Sequence, residues 1–257
     1  MNKQNTTILM KDNFSTNSAE YAQFRPKYPA ELYSFLESLL KQKEASWDCG
    51  TGNGQVAGEL AKFFKRVEAS DISQQQLDNA IRVPNINYSL QPAGKTNFPD
   101  NSFDLITVAQ AIHWFDFSQF YKKVNRTLKP GGTIAVIGYG LFKSNEQTND
   151  LINHFYRKIV GSYWDPERRY LDEEYRSIPF PFKEIQSPDF EMEICWDFEH
   201  LIGYLKTWSA VKHFQNKQGY NPVDLISGDL KKAFGERGVV KFPLFLRVGI
   251  KESSNSN

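Results

Sequence analysis

A doubly wound α/β fold around a mostly parallel sheet is what this sequence predicts, and three observations predict it. Short apolar runs alternate with amphipathic segments through the first 140 positions, the pattern of successive βαβ units. A glycine-rich turn, Asp48-Cys49-Gly50-Thr51-Gly52-Asn53-Gly54, joins the first such run to the helix after it. An acid, Asp71, closes the next run, Val67-Glu68-Ala69-Ser70-Asp71-Ile72. In an open parallel sheet, ligands lie beyond the carboxyl ends of the strands, and both features fall there.

Each element follows in order. Residues 30–43 place Leu32, Phe35, Leu36, Leu39 and Leu40 on one helical face. Ser46 to Cys49 is the first strand, Gln55 to Phe64 a helix, and Arg66 to Ser70 the second strand. Ser73 can N-cap a helix over Gln74 to Arg82, with Gln76 in the capping-box position. Asn87 to Leu90 is a short third strand, and Phe103 to Val108 a buried fourth strand after a Pro99-Asp100-Asn101-Ser102 turn. Phe117 to Thr127 is helical and ends before a turn at Lys129-Pro130-Gly131-Gly132; Thr133 to Tyr139 is a fifth strand. The alternation then stops. Residues 141–188, rich in aromatics and arginine, read as a helical, substrate-facing insertion. Phe190 to Trp196 and Val239 to Ile250 alternate as strands, with helices between them. Residues 1–13 and 252–257 are polar tails, and the whole chain reads as a single domain.

Composition excludes more than it selects. Charged residues are 24%, hydrophobic residues 40%, and the formal net charge is +1. That balance gives no electrostatic footprint for nucleic acid or an anionic membrane. No apolar run reaches membrane-spanning length, and the polar N-terminus lacks a signal-peptide core. Cys49 and Cys195 are expected as reduced thiols of a cytoplasmic protein, Cys49 as a small residue filling the turn. No His, Cys and carboxylate cluster has metal-ligand spacing, so no metal is expected.

The turn and Asp71 together suit an adenosine-containing ligand. Glycine lets the backbone come close to a ligand, and an acid ending the second strand can accept from ribose hydroxyls. A dinucleotide fingerprint starting at Gly50 requires glycine at position 55, where Gln55 stands. A nicotinamide oxidoreductase is thereby disfavoured.

The spacing Asp48-x-Gly50-x-Gly52-x-Gly54 resembles the first motif of class I S-adenosylmethionine-dependent methyltransferases. Asn97-Phe98-Pro99-Asp100-Asn101-Ser102-Phe103-Asp104-Leu105 and Leu128-Lys129-Pro130-Gly131-Gly132 resemble two further segments of small-molecule methyltransferases. More narrowly, Ala109-Gln110-Ala111-Ile112-His113-Trp114-Phe115-Asp116 is similar to a block of the trans-aconitate-methyltransferase-like group. So are Tyr21-x-x-x-Arg25-Pro26-x-Tyr28-Pro29 and the stretch from Tyr204 to Ala210.

The resemblance implies a Rossmann-like, seven-stranded sheet with its last strand antiparallel, and S-adenosyl-L-methionine as cofactor. It implies a cofactor site containing Tyr21, Arg25, Asp48, Gly50, Gly52, Asp71, Ile72, Gln91, Ala93, Ala109 and Gln110. Gly50 and Gly52 would admit the methionyl part, and Asp48 would orient the turn or the amino group. Asp71 would take the ribose hydroxyls and Ile72 pack on adenine. Arg25 would pair with the cofactor carboxylate or, alternatively, form a surface ion pair. Relatives often carry an acid where this chain has Pro92, so Gln91 or a backbone carbonyl would read the adenine edge.

The expected reaction is methyl transfer to a small-molecule acceptor, by resemblance a carboxylate, which needs no general base. A hydroxyl or amine acceptor would need one, and His113 is the catalytic candidate; its competing role is structural. A catalytically silent cofactor-binding protein is a third reading. Trp114, Tyr139, Tyr163, Trp164 and Trp208 could wall an acceptor pocket or simply pack the core. Arg168-Arg169 could clamp an acidic substrate or be a solvated pair. The Asn/Asp-Pro-Pro-Tyr signature of amino-directed nucleic-acid enzymes is absent after the fourth strand. Oligomeric state is not legible.

Overall fold

The structure is a computed structural model and describes residues 23–252. Its sheet runs β3-β2-β1-β4-β5-β8-β6, with β7 also paired to β8. The strands are β1 (Ala45–Cys49), β2 (Arg66–Asp71), β3 (Ile86–Leu90), β4 (Phe103–Ala109), β5 (Leu128–Tyr139), β6 (Lys183–Ile185), β7 (Phe190–Asp197) and β8 (Arg237–Ile250). The first five are mutually parallel; β8 is antiparallel to β5, as the resemblance implies. Eight strands occupy seven positions. β6 faces Val248 to Ile250 and β7 faces Arg237 to Leu244, end to end along the outer edge of β8. β6 escaped prediction because three residues are too few to show alternation.

Both faces of the sheet are covered. On β5, Ala135 and Ile137 belong to one core, shared with Leu32, Leu36, Leu60 and Trp208. Ile134 and Val136 point into the other, shared with Trp47, Phe103, Phe120 and Val124. This two-sided burial covers β1 along its whole length and β4 from Phe103 to Val108, polar members such as Ser46, Asp48 and Thr107 included.

The helices are α1 (Ala30–Ser38), α2 (Gln55–Leu60), α3 (Gln74–Asp78) and α4 (Phe117–Thr127). Asp116 caps α4, accepting from the Gln119 amide at 3.0 Å. Three helices stop short of their predicted ends for local reasons. After α1, the Leu39 and Leu40 amides turn back to Leu36 and Glu37, tightening the last turn. After α2, Asn85 Nδ2 takes the Ala61 and Phe64 carbonyls, both at 2.9 Å. After α3, Asn79 Nδ2 takes the Gln75 carbonyl and Arg82 Nη2 the Leu77 carbonyl. Ser73 caps α3 as expected, accepting from the Gln76 amide, while its own amide donates to Asp71 Oδ1 at 2.9 Å.

The predicted turn at Lys129 to Gly132 lies inside β5. Register jumps from Phe103 opposite Leu128 to Leu105 opposite Thr133, and Gly131 takes φ 75°, so the segment bulges out of the ladder. The 141–188 segment contains α5 (Glu146–His154), a π turn over Phe155–Ile159, α6 (Arg168–Asp172) and β6. Beyond it come α7 (Phe198–Lys206), α8 (Ser209–Gln218) and α9 (Ser227–Phe234). Among the described residues, no helix is long and apolar enough to cross a membrane. No His, Cys or carboxylate cluster suited to a metal occurs among them either.

Candidate functional site: two adjoining cavities

The glycine turn leaves β1 and enters α2 with Gly50, Gly52 and Gly54 all at positive φ. At Gly50 the conformation serves packing: a Cβ there would stand 2.6 Å from the Ala111 Cβ. Among the described residues, only Gln76 Oε1, at 3.8 Å, lies near a would-be Cβ at Gly52, so they leave room for a ligand on this side of the turn. Gly54 makes room for the Tyr88 hydroxyl, which donates to the Ile81 carbonyl. The sequence offered no sign of that contact.

Two carboxylates hold the turn. Asp48 is buried; its Oδ2 accepts from Thr51 Oγ1 at 2.6 Å and its Oδ1 from Thr107 Oγ1 at 2.8 Å. Burial pushes its pKa up to about 6 against the opposing effect of the two hydroxyls. Asp71 accepts from the Gly52 amide at 2.8 Å through Oδ2 and from the Ser73 amide through Oδ1. Both Asp71 oxygens thus face the turn at the end of β2, where ribose hydroxyls would lie. Sequence reasoning gave Asp71 a ligand role and missed that it also ties the turn to β2.

One cavity brings together Arg25, Asp48, Gly50, Gly52, Asp71 and Ile72 with Gln91, Ala93, Ala109 and Gln110. Of the predicted cofactor residues, only Tyr21 is not placed, since it lies outside the described residues. Ile72 is 36% exposed, an apolar surface beside Asp71 suited to a flat base. Gln91 is committed to its own loop, donating to Ser89 Oγ and accepting from the Asn97 amide. That favours a backbone group over Gln91 at an adenine edge. Gln110 takes φ 53°, rare for a residue with a side chain, and donates through Nε2 to the Tyr139 carbonyl at 2.8 Å. Arg25 donates to Tyr139 Oη at 3.3 Å and lies over the Tyr204 ring, partly buried between the helices and the sheet. A glycine turn, an acid at the tip of β2 and an apolar platform at Ile72 fit an adenosine ligand carrying an amino-acid tail.

A second cavity adjoins the first and shares Arg25, Gln110 and Trp114 with it. His113 lies here, not in the first cavity. The imidazole is buried, with Nδ1 2.9 Å from Tyr175 Oη, and burial followed by the Arg168 charge lowers its pKa to about 3. It is therefore neutral near pH 7 and a weak proton acceptor. Of the aromatics singled out, Trp114, Trp164 and Trp208 line this second cavity, whereas Tyr139 lines the first. Tyr163 packs on Phe214 instead. Arg168 lines the second cavity; exposed Arg169 lies against Tyr170 at the surface.

Residues 47–136 match a family model described as a methyltransferase domain. A Dictyostelium discoideum protein named as a methyltransferase is 35% identical over 257 residues, covering 96% of this chain and 98% of the relative. A solved structure from Anaeromyxobacter dehalogenans, described as a type II methyltransferase, is 36% identical with a TM-score of 0.82. It covers 89% of this chain, and 99% of that chain is matched. An Anabaena variabilis structure described as a methyltransferase from an antibiotic biosynthesis pathway shares the fold alone. It is 15% identical with a TM-score of 0.53, covering 85% of this chain and 98% of its own. The chain belongs to the class I S-adenosylmethionine-dependent methyltransferases.

Proposed function

We propose that the protein methylates a small-molecule carboxylate bound in the second cavity. The observation that carries this reading is the shared wall: Arg25, Gln110 and Trp114 border both cavities, so an acceptor in one faces the cofactor site in the other. When bound, S-adenosylmethionine supplies a methyl group made electrophilic by its positively charged sulfur. Asp71, Ile72 and the open face at Gly52 would hold its nucleoside end, and Arg25 its carboxylate. The protein's contribution is alignment, since holding two reactants at contact distance lowers the barrier without proton transfer. Trp114, Trp164 and Trp208 would exclude water from the acceptor.

Two features support a carboxylate over a hydroxyl or amine. The second cavity carries the guanidinium group of Arg168, while Arg25 on the shared wall serves the cofactor. Its imidazole, His113, is too weakly basic to deprotonate an acceptor that needs a base. The resemblance of residues 109–116 to the trans-aconitate-methyltransferase-like group agrees with this chemistry, and we place the reaction in the cytoplasm. Incubation with methyl-labelled cofactor and a fractionated metabolite extract tests the proposal. Label released from the product by mild alkali, as from a methyl ester, is the expected result. Alkali-stable label identifies an ether or amine and overturns it.

A further inference from the structure

Two adjacent arginines that look equivalent in the sequence are separated by the fold. Arg169 is exposed; Arg168 turns into the second cavity, with its side chain 19% exposed. Its Nε donates to Tyr156 Oη at 2.7 Å, and that hydroxyl donates onward to Asp172 Oδ1 at 2.6 Å. The guanidinium carbon lies 4.7 Å from the centre of the Trp164 ring and 5.3 Å from that of Tyr156. Trp164 is itself fixed by a bond from its Nε1 to the Tyr156 carbonyl at 3.2 Å. The Nε donor is thus engaged, and the guanidinium plane is set by two rings. The other edge, Nη1 and Nη2, makes no hydrogen bond to any described residue.

We propose that Arg168 is the residue that selects the acceptor, gripping its carboxylate through Nη1 and Nη2. The inference rests on the second cavity being the acceptor site. A guanidinium presents two parallel N–H donors matched to the two oxygens of a carboxylate, and pre-orientation removes most of the entropy lost on binding. Asp172, 3.5 Å from Nε, balances part of the charge from behind without occupying the free edge. Asp165 lines the same cavity, its Oδ2 3.9 Å from His213 Nδ1. The Arg168 charge is felt as far as His113, whose protonation it opposes.

The test compares wild type with Arg168→Gln, Arg168→Lys, Tyr156→Phe and Arg169→Gln. The probes are hexanoate, succinate and fumarate, with initial rates for each and cofactor affinity by calorimetry. Loss of a bidentate charged contact predicts that Arg168→Gln raises KM for the methylated carboxylate about a hundredfold, with cofactor affinity unchanged. Lysine restores only part of this, because an ammonium cannot present the fork. Tyr156→Phe, which frees the guanidinium plane, raises KM about fivefold with little change in kcat, and Arg169→Gln matches wild type. If wild type methylates a carboxylate and Arg168→Gln keeps its KM within twofold, the selector role is overturned while the carboxylate reading stands. If wild type methylates no carboxylate, the reading and the inference fall together. Should Arg168→Gln lose cofactor binding through misfolding, Arg168→Lys decides, and an unchanged KM there overturns the role.

Discussion

The Tyr175 hydroxyl lies 2.9 Å from His113 Nδ1, and this bond reaches from a loop at the sheet edge to the end of β4. Tyr175 is fully buried, and its backbone carbonyl accepts from Arg247 Nη1 at 3.0 Å, as does the Ile178 carbonyl at 2.7 Å. The imidazole is therefore positioned by a chain of contacts that ends on β8. Positioning, not proton abstraction, is the role this geometry suits. His113→Gln should lower kcat by no more than about tenfold, where loss of a general base typically costs 10²–10⁴-fold. A pH–rate profile checks it: a wild-type limb that disappears in the variant, with a far larger loss of rate, would restore His113 as base.

Protonation of two buried groups should move stability in opposite directions over the same pH range. His113 titrates near 3 in the folded protein against 6.5 when free, so its contribution is complete above pH 6.5 and is lost as pH falls. That contribution is at most about 5 kcal/mol. Asp48 titrates near 6 against 3.8, so its contribution is complete below pH 3.8 and is lost as pH rises through 6, to a total of about 3 kcal/mol. Denaturant titrations at several pH values separate them. His113→Gln should lose less stability than wild type between about pH 7 and pH 4, and Asp48→Asn should gain on wild type as pH rises. Parallel curves for either variant would contradict its assignment.

Gly50 should tolerate no side chain. With φ at 70° and Ala111 Cβ 2.6 Å from the position of a new methyl, Gly50→Ala combines backbone strain with a clash. A loss of about 2–4 kcal/mol is expected, together with displacement of the 109–116 loop. Gly131→Ala provides the contrast. It has the same sign of φ but no described residue within 4 Å of a new methyl, so thermal unfolding should show a smaller loss of about 1 kcal/mol.

Asp71→Ala should weaken cofactor binding at least thirtyfold, or roughly 2 kcal/mol, by removing ribose acceptors and loosening Gly52 together. Calorimetry with S-adenosylhomocysteine reads it. Unchanged affinity would remove Asp71 from the nucleoside site, whatever its part in holding the turn.

What the sequence disclosed was what is local. The glycine turn, Asp48, Asp71 and the 109–110 strand end fall at successive strand tips, so their meeting in one cavity follows from parallel order alone. The helix ends were misjudged because side chains such as Asn85 and Asn79 capture carbonyls, which periodicity does not record. The acceptor cavity was harder. Arg168, Trp208 and His113 come from three segments whose approach depends on how α6, α7 and α8 pack, and no spacing rule connects them. Tyr175, 62 positions from its histidine, gave no signal at all.

The anchoring of Tyr175 by Arg247 has a consequence for the order in which the protein is made. The cofactor cavity is lined by residues from Arg25 to Tyr139, all in the first half of the described chain or just beyond it. Most of its walls come from the early strands, although Arg25 rests on Tyr204 from α7. The support of His113 waits for β8, the last of the described strands, to pair with β5 and present Arg247. A nascent chain would thus acquire most of its methyl-donor berth before its acceptor wall is firm, and commitment to one acceptor shape would come last.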